Sequence, residues 1–218
     1  MPILLPLRTR VLVVFSLSAL MTVLYLASNA HPLRPPVLLP RNAVDIALGW
    51  HAWTIWPYWA LLLLGPALAL AVRERRLIVA AVQAYAIAMG LNLMVWLAWP
   101  TQLPRQALPV GLDPLTEGAW RLLYALDAPT NCFPSGHITI PLVMGAAFCA
   151  QYPHAHRWLW LLLAALIPSV VTTGQHYSWD VLGGAATAGI GLLLAGRELR
   201  RANNPVVLGS EPAASSEW

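Results

Sequence analysis

Six apolar runs dominate this sequence: 11–28, 53–72, 77–99, 138–152, 158–173 and 179–196. A bilayer hydrocarbon core of ~30 Å takes about 20 helical residues to cross. Inside it, every backbone N–H and C=O must find its partner within the protein. The runs therefore point to an all-α, polytopic membrane protein, a six-transmembrane-helix bundle. Composition agrees, since 58% of the 218 residues are hydrophobic, 10% are charged, and the mean hydropathy is +0.62. A soluble domain carries roughly 25% charged residues to keep its surface wet. A cytosolic enzyme, a secreted disulfide scaffold and a nucleic-acid module are thereby excluded. The fourth and fifth runs are the shortest. Pro66 and Pro168 lie inside runs, where a lost backbone bond is expected to kink the helix. Gly183, Gly184, Gly189 and Gly191 in the last run are small enough to let helix backbones approach closely.

All 13 basic residues are arginine, and their placement sets an expected topology. Arg8, Arg10, Arg73, Arg75, Arg76, Arg157, Arg197, Arg200 and Arg201 fall on one side of the runs; Arg34, Arg41, Arg105 and Arg121 fall on the other. The positive-inside rule then makes both termini cytoplasmic and turns loops 29–52, 100–137 and 174–178 outward. An integral membrane location is expected, such as a bacterial inner or plasma membrane. Residues 1–196 read as one membrane domain and 197–218 as a flexible cytoplasmic tail. A second reading of residues 1–30 is a cleavable signal peptide ending at Ser28-Asn29-Ala30, although the apolar run is long for that role. Trp50, Trp53, Trp56, Tyr58 and Trp59 read as an interfacial aromatic belt. Asn92 and Gln83 are expected to bond between helices, and Glu117 and Arg121 to pair on an interfacial helix from Pro114 to Leu126. His154 and His156 read as solvated surface.

Two outward clusters carry chemistry. The first, Asn131-Cys132-Phe133-Pro134-Ser135-Gly136-His137, opens the fourth run. Ser135 is suited to cap the helix and Gly136 to admit a ligand close to the backbone. Free N–H groups and the helix dipole favour an anion there, with His137 on the first turn beside it. The second, Gly174-Gln175-His176-Tyr177-Ser178-Trp179-Asp180, leads into the last run. His176 and Asp180 are four apart and share a helical face. A carboxylate beside an imidazole fixes its tautomer and stabilises its protonated form, and an Asp near a membrane boundary calls for such a partner. The plain alternatives are an ordinary helix start and a structural His–Asp pair.

Pro134-Ser135-Gly136-His137 together with His176-x3-Asp180 resembles the type 2 phosphatidic acid phosphatase (PAP2) superfamily of membrane lipid phosphatases and phosphotransferases. The stretch from Asp127 to His137 and the pair His176-Tyr177 are similar to its inositol phosphorylceramide synthase-like branch. The resemblance covers about residues 95–195. It implies that His176 attacks phosphorus to form a phosphohistidine, that Asp180 orients it, and that His137 protonates the leaving oxygen. It also implies that Ser135, Gly136 and Arg105 hold the phosphate, with Asp127 and Asn131 shaping the loop. No metal or other cofactor is implied, and the expected partner is a lipid-linked phosphate in the membrane.

The sequence departs from the family pattern at two cations, where Ala98 and Val170 stand; Gln106 replaces a proline. Arg121 or Arg41 could substitute from the loops, and a leaner pocket suits a phosphodiester or diphosphate lipid better than a doubly charged monoester. The expected function is a lipid-phosphate phosphatase. The alternatives are a phosphotransferase moving a phospho-headgroup between lipids and a non-catalytic lipid-phosphate binder.

Overall fold

The computed structural model describes residues 2–196 and Leu199. The remainder of the tail, with Arg197, Arg200 and Arg201, lies outside the described residues. The chain runs α1 (Leu7–Ala30), β1 (Val37–Leu38), α2 (Ala43–Leu48), α3 (Ile55–Ala71), α4 (Arg75–Ala98) and β2 (Thr101–Gln102). It continues through α5 (Pro114–Leu126), α6 (Gly136–Gln151), α7 (His156–Leu166), α8 (Ser169–Thr172) and α9 (Ser178–Ala195). Five helical stretches are long and apolar enough to cross a membrane: α1, Ala52–Ala71, α4, Pro153–Thr172 and α9. The remaining apolar run forms α6, which at 16 residues is shorter than a full crossing.

The all-α expectation needs one amendment. β1 and β2 form a two-residue parallel ladder, Val37 opposite Thr101 and Leu38 opposite Gln102. Loops 31–42 and 100–113 run side by side here, and the ladder satisfies backbone groups that no helix takes up. The two prolines also behave differently. α3 runs through Pro66, whereas α7 stops at Leu166 and α8 restarts after Pro168.

α4 is central, packing on α9, α6 and α1, while α3 packs on α6 and α1. The small residues of α9 allow this. A Cβ added at Gly191 would lie 2.4 Å from the Ala84 carbonyl oxygen, and one at Gly184 would lie 2.4 Å from that of Ser135. Between α4, α6 and α9 sits a buried polar node. Asn92 Nδ2 donates to Thr139 Oγ1 (3.0 Å), which also lies 3.1 Å from the Gly184 carbonyl and from Thr187 Oγ1. Such bonds hold helices together where lipid gives no hydrophobic drive. Asn92 thus bonds between helices as expected, while Gln83 is exposed with no such bond described.

The two ends of the bundle differ in chemistry. At one end, residues 3–5 pair with the α3–α4 turn through Leu5 N–H to Arg73 O and Arg75 N–H to Ile3 O. Gln151 at the foot of α6 accepts from the Arg73 and Glu74 amides at 2.6 and 3.1 Å. Arg10 donates to the Leu70 carbonyl at this same end. The other end carries loops 31–54 and 99–135 with α2 and α5. Here Asp113 caps α5, accepting from the Leu115 and Thr116 amides; the bonds from Thr116 hold its carboxyl below the usual range. Glu117 and Arg121 pair on α5 at 2.6 Å, exposed, as expected.

Candidate active site

The helix start at α6 is built differently from a capped terminus. Ser135 occupies the N-cap position, but its hydroxyl makes no cap bond. It lies 3.1 Å from His176 Nε2 instead. The expected capping role is therefore replaced by a side-chain contact across the bundle. The backbone of Ser135 is held independently, its N–H donating to the Asp180 carbonyl at 3.0 Å. The first turn of α6 leaves the Gly136 and His137 amides without intrahelical partners, as at any helix start.

His176 precedes α9 and is buried, at 5% exposure. Its Nδ1 lies 3.3 Å from Asp180 Oδ2, and that oxygen also accepts from the Tyr177 N–H at 2.8 Å. Asp180 is fully buried on the first turn of α9, where the helix N-terminus favours a negative charge. With Nδ1–H directed to the carboxylate, Nε2 of His176 keeps its lone pair. That atom faces two groups, Ser135 Oγ and, at 3.0 Å, Nδ1 of His137. His137, His176, Asp180, Ser135 and Gly136 are thus brought together from residues separated by about 40 positions.

One neighbour was missed by the sequence reading. Tyr58 belongs to the aromatic group assigned to an interfacial belt, yet it is fully buried and its hydroxyl lies 3.3 Å from His137 Nδ1. Others of that group act as tethers. Trp50 donates to the Thr173 carbonyl, Trp56 to Thr116 Oγ1 and Trp59 to the Ala119 carbonyl. Only an aromatic cluster at the edge of an apolar run was visible in 50–59; which ring turns inward depends on α6.

The loop 127–135 is fastened to the end of α1. Tyr25 donates to Asp127 Oδ1 at 2.5 Å, Asn131 Nδ2 to Ser28 Oγ at 2.8 Å, and Thr130 Oγ1 to Asn29 Oδ1 at 2.8 Å. Asp127 and Asn131 shape this loop, and Asn131 takes a left-handed φ of 55° that Asn tolerates. The segment read alternatively as a signal peptide is thus part of the wall around the site. Burial raises the Cys132 thiol well above its ordinary pKa, which keeps it protonated near neutrality.

A second missed residue is Asp45. It is buried on α2 and bonds across 133 positions, accepting from the Ser178 N–H at 2.7 Å. Its other oxygen accepts from the Asn42 N–H at 2.9 Å, and Asn42 Nδ2 donates to Ser178 Oγ at 2.6 Å. α2 therefore clamps the first residue of α9, two positions after His176. The capping box Asn42-x-x-Asp45 is readable in sequence, but its second use is not. Asp45→Ala strands the Ser178 amide and is expected to cost about 1–3 kcal/mol, read as a lowered midpoint of thermal unfolding in detergent. Asp45→Asn, which keeps one acceptor, should cost less.

Arg105 is placed elsewhere. Its guanidinium donates to the Tyr124 carbonyl (2.6 Å) and to the Asp127 carbonyl, and lies 4.4 Å over the Tyr124 ring. No bond to either histidine is described for it. Arg121 is occupied by Glu117. Arg41 lies at the α9 end, 3.5 Å from the Asp45 carbonyl, and its charge acts on Tyr177.

A family model described as the PAP2 superfamily matches residues 52–194, more than half of the chain. No curated protein and no solved structure matches it. The matched region contains the histidine pair, Asp180 and Ser135; α1 and α2 precede it.

Proposed function

The chain belongs to the PAP2 superfamily, and on that premise we propose that it is an integral membrane lipid-phosphate phosphatase working through a phosphohistidine. The observation that carries this reading is the contact of His176 Nε2 with His137 Nδ1 at 3.0 Å, with Asp180 behind His176 at 3.3 Å. A phosphoryl group entering between the two rings replaces their mutual bond. The Nε2 lone pair attacks phosphorus, the P–O bond to the lipid breaks, and His137 supplies the proton to the departing oxygen. Asp180 stabilises the positive charge left on the His176 ring. His137 then takes a proton from water, which attacks phosphorus; the P–N bond breaks, its electron pair returns to Nε2, and inorganic phosphate leaves.

The phosphate oxygens are received by the Ser135 hydroxyl and the free amides at the start of α6. Arg105 must turn from the Tyr124 and Asp127 carbonyls to join them. Arg41 is the better placed cation to supply charge at the α9 end. The bundle crosses the membrane six times, with α6 as the short span between the polar node and the α3–α4 turn. By the arginine distribution, the site faces the non-cytoplasmic side and the start of α1 the cytoplasm.

The stretch from Asp127 to His137 favours a second reading, in which an alcohol takes the place of water and a phospho-headgroup passes between lipids. Purified protein incubated with lipid phosphates, diphosphates and phosphodiesters distinguishes the two. The phosphatase reading expects inorganic phosphate without any added alcohol; product formed only when an alcohol is supplied overturns it in favour of transfer. The nucleophile being a histidine, activity is expected to survive excess EDTA unchanged. Loss on chelation with recovery on adding a divalent ion would contradict the mechanism.

A further inference from the structure

α1 packs on α3 and α4, and the space between it and α6 is left as a cavity of about 270 Å³ lined by both. Its polar end holds His137 and His176. From there the lining recedes along each wall in the same direction, from Tyr25 to Val14 on α1 and from Trp96 to Tyr85 on α4. Eleven helical residues rise about 16 Å. Half of a ~30 Å hydrocarbon core is about 15 Å, the depth of one leaflet and so of one lipid chain. The remaining lining on α3 and α6, including Leu61, Ala69, Ile140 and Met144, is apolar. Ser18 and Thr22 line it too while staying exposed at the edge of α1, so the cavity opens sideways beside that helix.

We propose that this cavity binds the hydrocarbon chain of the substrate, and that its volume and depth select a lipid phosphate with one chain over one with two. The inference rests on the histidine pair being the reaction site. The phosphate sits between the rings while the chain lies against α1 and reaches towards Val14. The adjoining apolar space beyond Val14, between Val13, Val72 and Ala147, is only about 30 Å³, too small for a second chain, which must stay in the surrounding lipid.

The lining on α1 provides a graded test. Thr22, Ser18 and Val14 lie at successive turns from the polar end, about 6 Å apart. Tryptophan at each should stop the chain at a different depth. With single-chain alkyl phosphates of increasing length, wild-type kcat/KM should climb by up to about fourfold per methylene while the chains remain monomeric in water, then level off. The levelling point should fall at the shortest chain in Thr22→Trp, at an intermediate one in Ser18→Trp and at the longest in Val14→Trp. Levelling at the same length in all three, or faster turnover of two-chain than one-chain phosphates, overturns the proposal.

A binding readout separates this from the reaction itself. A single-chain alkyl phosphate with a diazirine near its tail should crosslink to α1 and α6 in the wild-type protein and less in Ser18→Trp. Crosslinks confined to the outer, lipid-facing side of the bundle would sink the chain site even if phosphate is released. Crosslinks in the cavity without turnover of any lipid would uphold the chain site and remove the proposed reaction.

Discussion

His176→Ala is expected to lower phosphate release by about 10⁴-fold or more, because it removes the attacking atom and not merely a contact. His137→Ala should lose less, about 10²–10⁴-fold, the usual worth of a positioned acid and base. The two variants should also differ in kind. When wild-type protein is quenched in denaturant during turnover of a ³²P-labelled lipid, an acid-labile, alkali-stable label should remain on the chain. His176→Ala should carry none. Label on that variant, or a loss of activity no larger than for a surface histidine such as His154, would remove His176 from the role proposed for it. The geometry supports the asymmetry. His176 Nδ1 is engaged by a buried carboxylate at 3.3 Å, whereas His137 has only the Tyr58 hydroxyl and His176 itself as described partners.

Gly184→Val should unfold or badly weaken the bundle, by about 3 kcal/mol or more, at the upper end of what overpacking costs. Even a Cβ there would meet the Ser135 carbonyl at 2.4 Å and Ile138 Cβ at 3.1 Å. Neither can swing aside, because Ser135 is backbone and is bonded to Asp180 through its own N–H. Any shift that relieves the clash pulls Ser135 away from His176, so activity should fall further than stability in Gly184→Ala. Gly189 is the matched control, since nothing lies within 4 Å of a Cβ added there. Gly189→Ala should be neutral or gain up to about 1 kcal/mol from helix propensity. Thermal unfolding of the three variants in one detergent measures this. Equal midpoints for Gly184→Ala and Gly189→Ala would show that the close approach of α9 to α6 contributes nothing.

The helices were legible because lipid as solvent leaves few solutions. A run of about 20 apolar residues in a bilayer must be helical, and the boundaries followed to within a few residues, as with 77–99 against Arg75–Ala98. The amphipathic helix Pro114–Leu126 and its Glu117–Arg121 pair were equally readable, since both depend on neighbours three and four apart. His176 and Asp180 meet, but not on one helical face as expected: His176 precedes α9, and Asp180 Oδ2 reaches back past the Tyr177 amide to it. The short ladder between β1 and β2 had no such signature, because two residues in each strand are too few to show an alternating pattern.

Contacts between distant segments were decided by the tertiary structure alone. Ser135 could be read as a helix cap from its position, but its hydroxyl turned to His176 because α9 stands across from it. Arg105 carried the right charge in the right loop, yet two carbonyls and the Tyr124 ring hold its guanidinium. Tyr58 and Asp45 gave no hint of their partners, 79 and 133 positions away. The cavity under α1 needed four helices to exist at all. The sequence by itself determined the solvent of this protein, its helices and the chemical groups gathered at one end. Which of those groups touch was settled by packing, because hydrogen-bond partners are chosen by distances of a few ångströms that no local pattern encodes.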